Sequence, residues 1–124
     1  MTTAPQAGIS TQIQQQLGMF QQIQQQLQQV SSQKMQYEMT LRETKRALEE
    51  LEATKDDAVI FSAVGSILIQ KDNATVKTEL TDKIESLELR VNSLDKQEKA
   101  MTSKASQLQK QLQDAISSGV PAAQ

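Results

Sequence analysis

Few side chains of this protein are suited to covalent or metal chemistry. The sequence contains no cysteine and no histidine, which excludes disulfides, Cys/His zinc sites and Ser-His or Cys-His catalytic pairs. Its four glycines are too far apart to form a phosphate-binding loop. Carboxylates remain, and one acidic run could suggest a metal site: Glu49, Glu50, Glu52, Asp56 and Asp57. The alternative, a solvated helix face, is favoured, so we expect no metal, no cofactor and no enzymatic activity.

Charged residues and glutamines are unevenly distributed along the 124 residues. Of 21 glutamines, 14 lie within the first 36 positions, and all 28 charged side chains lie between Lys34 and Asp114. A net charge of -2 provides no electrostatic basis for nucleic-acid binding. No segment approaches the roughly 20 apolar residues that would span a membrane, and no signal-peptide pattern is present. We therefore expect a cytoplasmic protein with no membrane partner.

Two long stretches of the sequence show the heptad pattern of a coiled coil. Heptad positions, at alternating spacings of three and four, are mostly apolar over residues 13–51 and again over residues 80–115. The polar exceptions are Gln16, Lys34, Thr44 and Glu98. Strong helix formers fill the intervening positions, and proline is absent from both stretches. The pattern predicts helices over residues 9–54 and 73–116, followed by a flexible tail over residues 117–124.

The segment between the predicted helices breaks the helical period. Residues 58–71 read AVIFSAVGSILIQK, with two runs rich in β-branched residues on either side of Gly65-Ser66. A Gly-Ser loop of two residues favours a type II′ β-hairpin. Both runs are apolar at nearly every position, which indicates that both faces are covered. Because an isolated hairpin is marginally stable, we infer that these strands pair with strands of other subunits.

A short connection forces the two helices to fold back on each other. The predicted fold class is therefore mainly α: a long antiparallel two-helix coiled coil joined by a central β-hairpin whose strands pair with those of other subunits. The register predicted from the heptads places Leu48 near Ile84 and Leu87, Leu27 near Ala105 and Leu108, and Lys34 near Glu98. A Lys34–Glu98 pair would fix the register of the coiled coil. The alternative is that both side chains extend to solvent.

At this point the sequence resembles the β class of prefoldin subunits. The resemblance runs from about Leu17 to Ala115, and two segments carry it: RALEELEATKDDAVIFSAVGSILIQKD (46–72) and KIESLELRVNSLDKQEKAM (83–101). The central segment, with its DDA, IF…VG and ILIQKD elements, is far more specific than the heptads. One hairpin, where the α class has two, places the sequence with the β class.

The resemblance implies a hexamer of two α-class and four β-class subunits. In that family the hairpins form a β-barrel platform, and the coiled coils capture unfolded polypeptides without ATP and pass them to a group II chaperonin. The assembly residues implied by the resemblance are Val59, Ile60, Phe61, Val64, Gly65, Ile67, Leu68 and Ile69.

The charge-free ends of the sequence are the predicted client-binding region. In an antiparallel helical hairpin both termini lie at the end opposite the β-hairpin, where the family contacts its clients. The predicted contact residues are Ile9, Ile13, Leu17, Met19, Phe20, Ile23, Leu108, Leu112, Ile116 and Val120. For Ile13, Phe20 and Ile23 the alternative is a place in the coiled-coil seam, whereas Leu17 and Met19 lie off the seam.

A coiled-coil scaffold or tethering protein without chaperone activity is the alternative function. It accounts for the heptads but leaves the apolar β-hairpin unexplained.

Overall fold

The computed structural model describes residues 11–119. Helix α1 (Thr11–Glu52) is followed by strand β1 (Ile60–Val64), strand β2 (Ile67–Lys71) and helix α2 (Asn73–Gly119). The two strands pair antiparallel. The predicted arrangement of two long helices with a β-hairpin between them is therefore confirmed. Two compact units can be distinguished within the described part: residues 33–93, and residues 11–32 with residues 94–119.

In residues 33–93, the helix segments run antiparallel and bury the predicted heptad positions. Thr44, Leu51 and Leu87 are the buried residues of this seam. The Thr44 hydroxyl donates a 2.7 Å hydrogen bond to the carbonyl of Thr40, so this polar seam residue is satisfied without leaving its helix. An ion pair of 3.3 Å between Lys45 and Glu88 joins the two helices. This pair lies one turn from Leu48 and Ile84, as the predicted register requires.

In the unit that contains residues 11–32 and 94–119, the heptad positions again form the core. Ile23 packs with Ala105 and Leu108, and Phe20 and Met101 cover this cluster. Leu94 and Leu112 are also buried. Ala105 and Leu108 therefore meet Ile23, which lies one turn before the Leu27 of the predicted register.

Helix α1 ends with its last carbonyls hydrogen-bonded. The amide of Ala53 donates to the carbonyl of Glu49, and the amide of Thr54 donates to that of Leu51, both at 3.1 Å. The Thr54 hydroxyl donates a 2.7 Å hydrogen bond to the Glu50 carbonyl. These bonds satisfy acceptors that a helix C-terminus leaves without intrahelical partners.

Helix α2 continues to Gly119, so the predicted flexible tail is wrong for residues 117–119. Serine reduces helix stability only modestly, so Ser117 and Ser118 can continue the helix. The predicted tail residues 120–124 and the predicted helical residues 9 and 10 lie outside the described residues.

Asp72 stands directly before α2 and acts as its N-cap. The Thr75 hydroxyl donates a hydrogen bond to the Asp72 carboxylate and holds the pKa of this group below its ordinary value, and the Thr75 amide adds to the effect. A carboxyl with a lowered pKa stabilises the fold above its unfolded pKa, and the effect is lost as the pH falls through the folded pKa.

We expect Asp72→Ala to lower the melting temperature at neutral pH, because the cap acceptor is removed. The difference from the wild type should shrink in strongly acidic solution, where Asp72 is protonated in both the folded and the unfolded chain. Thermal unfolding followed by circular dichroism across this pH range measures both effects. Asp72→Asn, which keeps the acceptor oxygen, is the control and should lose less stability at neutral pH. A difference for Asp72→Ala that is independent of pH would contradict the assignment.

The Ile23 cluster leads to a second prediction about stability. Ile23 is only 8% exposed, and we expect Ile23→Ala to lower the free energy of unfolding by about 2–4 kcal/mol through lost burial and a residual cavity. Leu17 on the same helix is 45% exposed, so Leu17→Ala is the control and should change stability by less than about 0.5 kcal/mol. Chemical denaturation measures both variants, and equal losses would contradict the core assignment.

Candidate functional site

The β-hairpin turns through Gly65 and Ser66. Val64 pairs with Ile67 across the turn, and the register continues to Ile60 opposite Lys71. Gly65 has a φ of 61°, and no other described residue has a positive φ. A positive φ at the first loop position alone is the pattern of a type II′ turn, so the predicted turn type agrees with the backbone.

Both faces of this hairpin present apolar side chains to solvent. Side chains alternate between the faces, and directly opposite residues share a face. The first face, here called the isoleucine face, consists of Ile60, Ser62, Val64, Ile67, Ile69 and Lys71. The second, the Phe61 face, consists of Phe61, Ala63, Leu68 and Gln70. Ile60 is half-buried, whereas Phe61, Val64, Ile67, Leu68 and Ile69 are exposed, as is Val59 just before β1.

The exposure of the hairpin is unusual for a segment of apolar residues. Leu68 is 68% exposed, although leucine is a residue that proteins usually bury. Within residues 11–119 the sheet has two strands, so each strand has one edge without a neighbour. Exposed apolar faces and unpaired strand edges together favour pairing with further strands.

The base of the hairpin is tied to α2 by charge. The Lys71 ammonium donates hydrogen bonds of 2.8 and 3.0 Å to the two carboxylate oxygens of Glu79. The Lys77 ammonium of α2 lies 3.8 Å from the carboxylate of Asp56, a residue that precedes the hairpin in the sequence. Because Lys71 belongs to the isoleucine face, its bond to Glu79 directs this face toward the first turns of α2. Sequence reasoning missed this pair, since its two members are eight residues apart and belong to different elements.

The acidic run that could suggest a metal site is distributed along exposed surface. Glu50 pairs with Arg46 at 3.5 Å, and Asp56 faces Lys77. Among residues 11–119, no three acidic side chains converge in a way that could hold a metal ion. The arrangement suits a solvated face next to the hairpin.

The predicted client-binding residues fall into three groups in the structure. Leu17, Met19 and Ile116 are exposed, and Ile13 and Phe20 are half-buried. Ile23, Leu108 and Leu112 are buried between the helices, so they are not accessible as contact residues while the helices remain paired. Ile9 and Val120 lie outside the described residues.

The exposed residues occupy the flanks of the helix pair. Leu17 comes four residues after Ile13, and Ile116 comes four residues after Leu112. In residues 33–93, Lys45 occupies the heptad position of Leu17, and Glu88 occupies that of Ile116. Because Lys45 and Glu88 contact each other, both positions lie on the same flank of the helix pair. Leu17 and Ile116 therefore present apolar groups on a flank of a segment in which residues 11–33 carry no charge. Such a surface can contact apolar segments of varied sequence.

Gln16 is a polar residue in the helix seam of residues 11–32 and 94–119, three residues after Ile13 and four before Phe20. Its side-chain oxygen Oε1 is buried and has no hydrogen-bond partner. A buried acceptor without a partner costs about 1–3 kcal/mol. The seam around Gln16 is therefore less stable than an apolar residue would make it.

Lys34 and Glu98, the predicted register pair, are both half-buried. Their pairing stays a prediction. In residues 33–93 the register is supported by the Lys45–Glu88 ion pair and by Arg90, whose guanidinium lies 5.3 Å from the centre of the Tyr37 ring. A cation over an aromatic face is attracted by the ring quadrupole.

Neither helix within residues 11–119 has the length and apolar character that crossing a membrane requires.

Comparison with known proteins gives one consistent family. The sequence profile described as "Prefoldin subunit" matches residues 14–119. Prefoldin subunit beta of Methanospirillum hungatei is 44% identical over 108 residues, which cover 87% of this chain and 90% of that protein. Prefoldin subunit beta of Thermococcus kodakarensis is 41% identical over 108 residues, with 87% of this chain and 92% of that protein covered.

A solved structure agrees with these relatives. The crystal structure of the prefoldin beta subunit from Thermococcus strain KS-1 matches with a TM-score of 0.81 at 41% identity, covering 87% of this chain and 95% of that chain. The matched sequence profile, the relatives and the hairpin between two heptad helices show that this chain belongs to the prefoldin subunit family, a family of chaperone subunits.

Proposed function

We propose that this chain assembles through its hairpin into a hexamer of two α-class and four β-class prefoldin subunits. Membership of the family implies a hetero-oligomer with other prefoldin subunits. The exposed apolar residues of the isoleucine and Phe61 faces support the hairpin as the contact surface. Strands of neighbouring subunits would pair with the open edges and close a β-barrel, which removes strand edges.

The same proposal assigns client capture to the charge-free helix ends. The observation that carries it is the exposure of Leu17, Met19 and Ile116 on segments without charge. Several arms that each bind an unfolded polypeptide weakly would together hold it firmly, because linked sites act at high effective concentration. The complex would work in the cytoplasm without ATP or a cofactor and deliver its clients to a group II chaperonin.

Assembly through the hairpin is tested by Leu68→Lys. The side chain is exposed in the single chain, so we expect the variant to fold, whereas a buried, unpaired ammonium in the assembled sheet costs several kcal/mol. Co-expression with an α-class subunit, followed by mass measurement, should show loss of the hexamer.

Met35→Lys is the matched control, because Met35 is a comparably exposed apolar residue of α1 outside the hairpin. Its hexamer should form normally. A hexamer of Leu68→Lys with wild-type stability would show that the assembly surface lies elsewhere.

Client capture is tested by replacing Leu17, Met19 and Ile116 together with glutamine, a good helix former. The wild-type hexamer should suppress aggregation of a denatured client without nucleotide, and the triple variant should suppress it much less while the hexamer mass is unchanged. Light scattering during dilution of the denatured client measures both.

The control for client capture is the double variant Met35→Gln with Met39→Gln, which removes two exposed apolar side chains outside the predicted contact region. It should act like the wild type. Suppression that requires ATP, or a triple variant as effective as the wild type, would contradict the proposal.

A further inference from the structure

Leu89 is an exposed apolar residue that neither the seam nor the two proposed surfaces explain. It is 72% exposed, more than any other large apolar side chain among residues 11–119. It lies in α2, two residues after the buried Leu87, and is not a residue of the seam. A single exposed leucine is ordinary on a protein surface, so its surroundings decide whether it has a role.

Leu89 borders a groove that lies entirely within residues 33–93. The groove has a volume of about 590 Å³ and is lined by Leu41, Glu85, Glu88, Leu89, Val91 and Asn92. Leu41 and Val91 are half-buried seam residues and form its apolar floor. Glu85, Glu88, Leu89 and Asn92 follow the spacing of one helix face. Neither Met35 nor Met39 lines this groove, although both are exposed methionines of α1.

The rim of the groove on α2 is acidic. The Glu88 carboxylate forms an ion pair of 3.3 Å with the Lys45 ammonium of α1. Glu85 has no ion-pair partner among the described residues, and Asp82 lies one turn before it on the same helix. Like charges at this spacing repel one another slightly, and a cation brought near Glu85 would relieve that repulsion.

We infer that this groove is a second contact site for unfolded polypeptide, selective for segments in which a large apolar side chain stands next to a lysine or arginine. The inference rests on the proposed function, since it adds a site to the same client-binding arm. The apolar side chain would pack on Leu41, Val91 and Leu89, and the neighbouring cation would pair with Glu85. The apolar surface is small, which suits one inserted side chain of an extended segment better than a folded partner.

The test uses two fluorescent, unstructured peptides of equal length and equal leucine content, one rich in lysine and the other rich in glutamate. Binding to the assembled complex of the full chain is measured by fluorescence anisotropy. The wild type should bind the lysine peptide more tightly, and the preference should weaken with added salt. Leu89→Gln should weaken this binding about five- to tenfold, because apolar burial is lost. Glu85→Gln should reduce both the preference for lysine and the salt dependence.

Met35→Gln is the control and should bind both peptides like the wild type. Equal affinities for Leu89→Gln and Met35→Gln, or a wild type without preference between the peptides, would overturn the inference. A changed mass of the Leu89→Gln complex would also overturn it, because the groove would then be a contact between subunits.

The aggregation assay separates this inference from the proposed function. If the triple variant at Leu17, Met19 and Ile116 loses suppression while Leu89→Gln keeps full peptide affinity, the groove has no role and the proposed function stands. If the wild-type complex suppresses no aggregation but lysine-peptide binding still depends on Leu89, the proposed function fails and the groove remains a peptide site.

Discussion

The burial of one narrow apolar stripe on each helix is the constraint on which the rest of this structure depends. Ile23, Leu51, Leu87, Leu94 and Leu108 are buried, yet no described side chain is less than 2% exposed. Two paired helices can cover only the side chains that face each other, so everything beside the stripe meets solvent. Within residues 11–119, most side chains are therefore available at the surface, where the proposed contacts with other chains lie.

The limited burial that two helices provide affects the hairpin most. Its strands are apolar on both faces, and in the chain they are flanked only by the last turn of α1 and the first turns of α2. The Lys71–Glu79 pair directs the isoleucine face toward α2. Five large apolar residues of the two strands nevertheless stay exposed. Exposed apolar faces and open strand edges favour association with other chains, which is consistent with a family whose members work as hetero-oligomers. Stability and assembly are then linked by mass action.

The heptad repeat of each helix contains seam positions, which pair the helices, and outer positions, which face solvent. Positions in the seam decide how strongly the helices pair, and there Gln16 and Thr44 are polar exceptions with different outcomes. Thr44 satisfies its hydroxyl on its own helix, whereas the buried oxygen of Gln16 has no partner. Positions on the flanks and the outer face are released from packing, so Leu17, Ile116 and Leu89 can present apolar groups without weakening the seam.

The sequence by itself determined the elements, the seam and the turn. Heptad spacing, the β-branched run around Gly65-Ser66 and the absence of proline are local signals, and helix pairing, strand pairing and a positive φ at glycine follow from them directly. Only the tertiary structure decided which apolar residues are accessible. Ile23, Leu108 and Leu112 share their residue types with Leu17 and Ile116, but they face the opposite helix and are buried. The Lys71–Glu79 tie and the acidic groove at Leu89 also needed the tertiary structure, because each joins residues of different elements whose proximity no local spacing encodes.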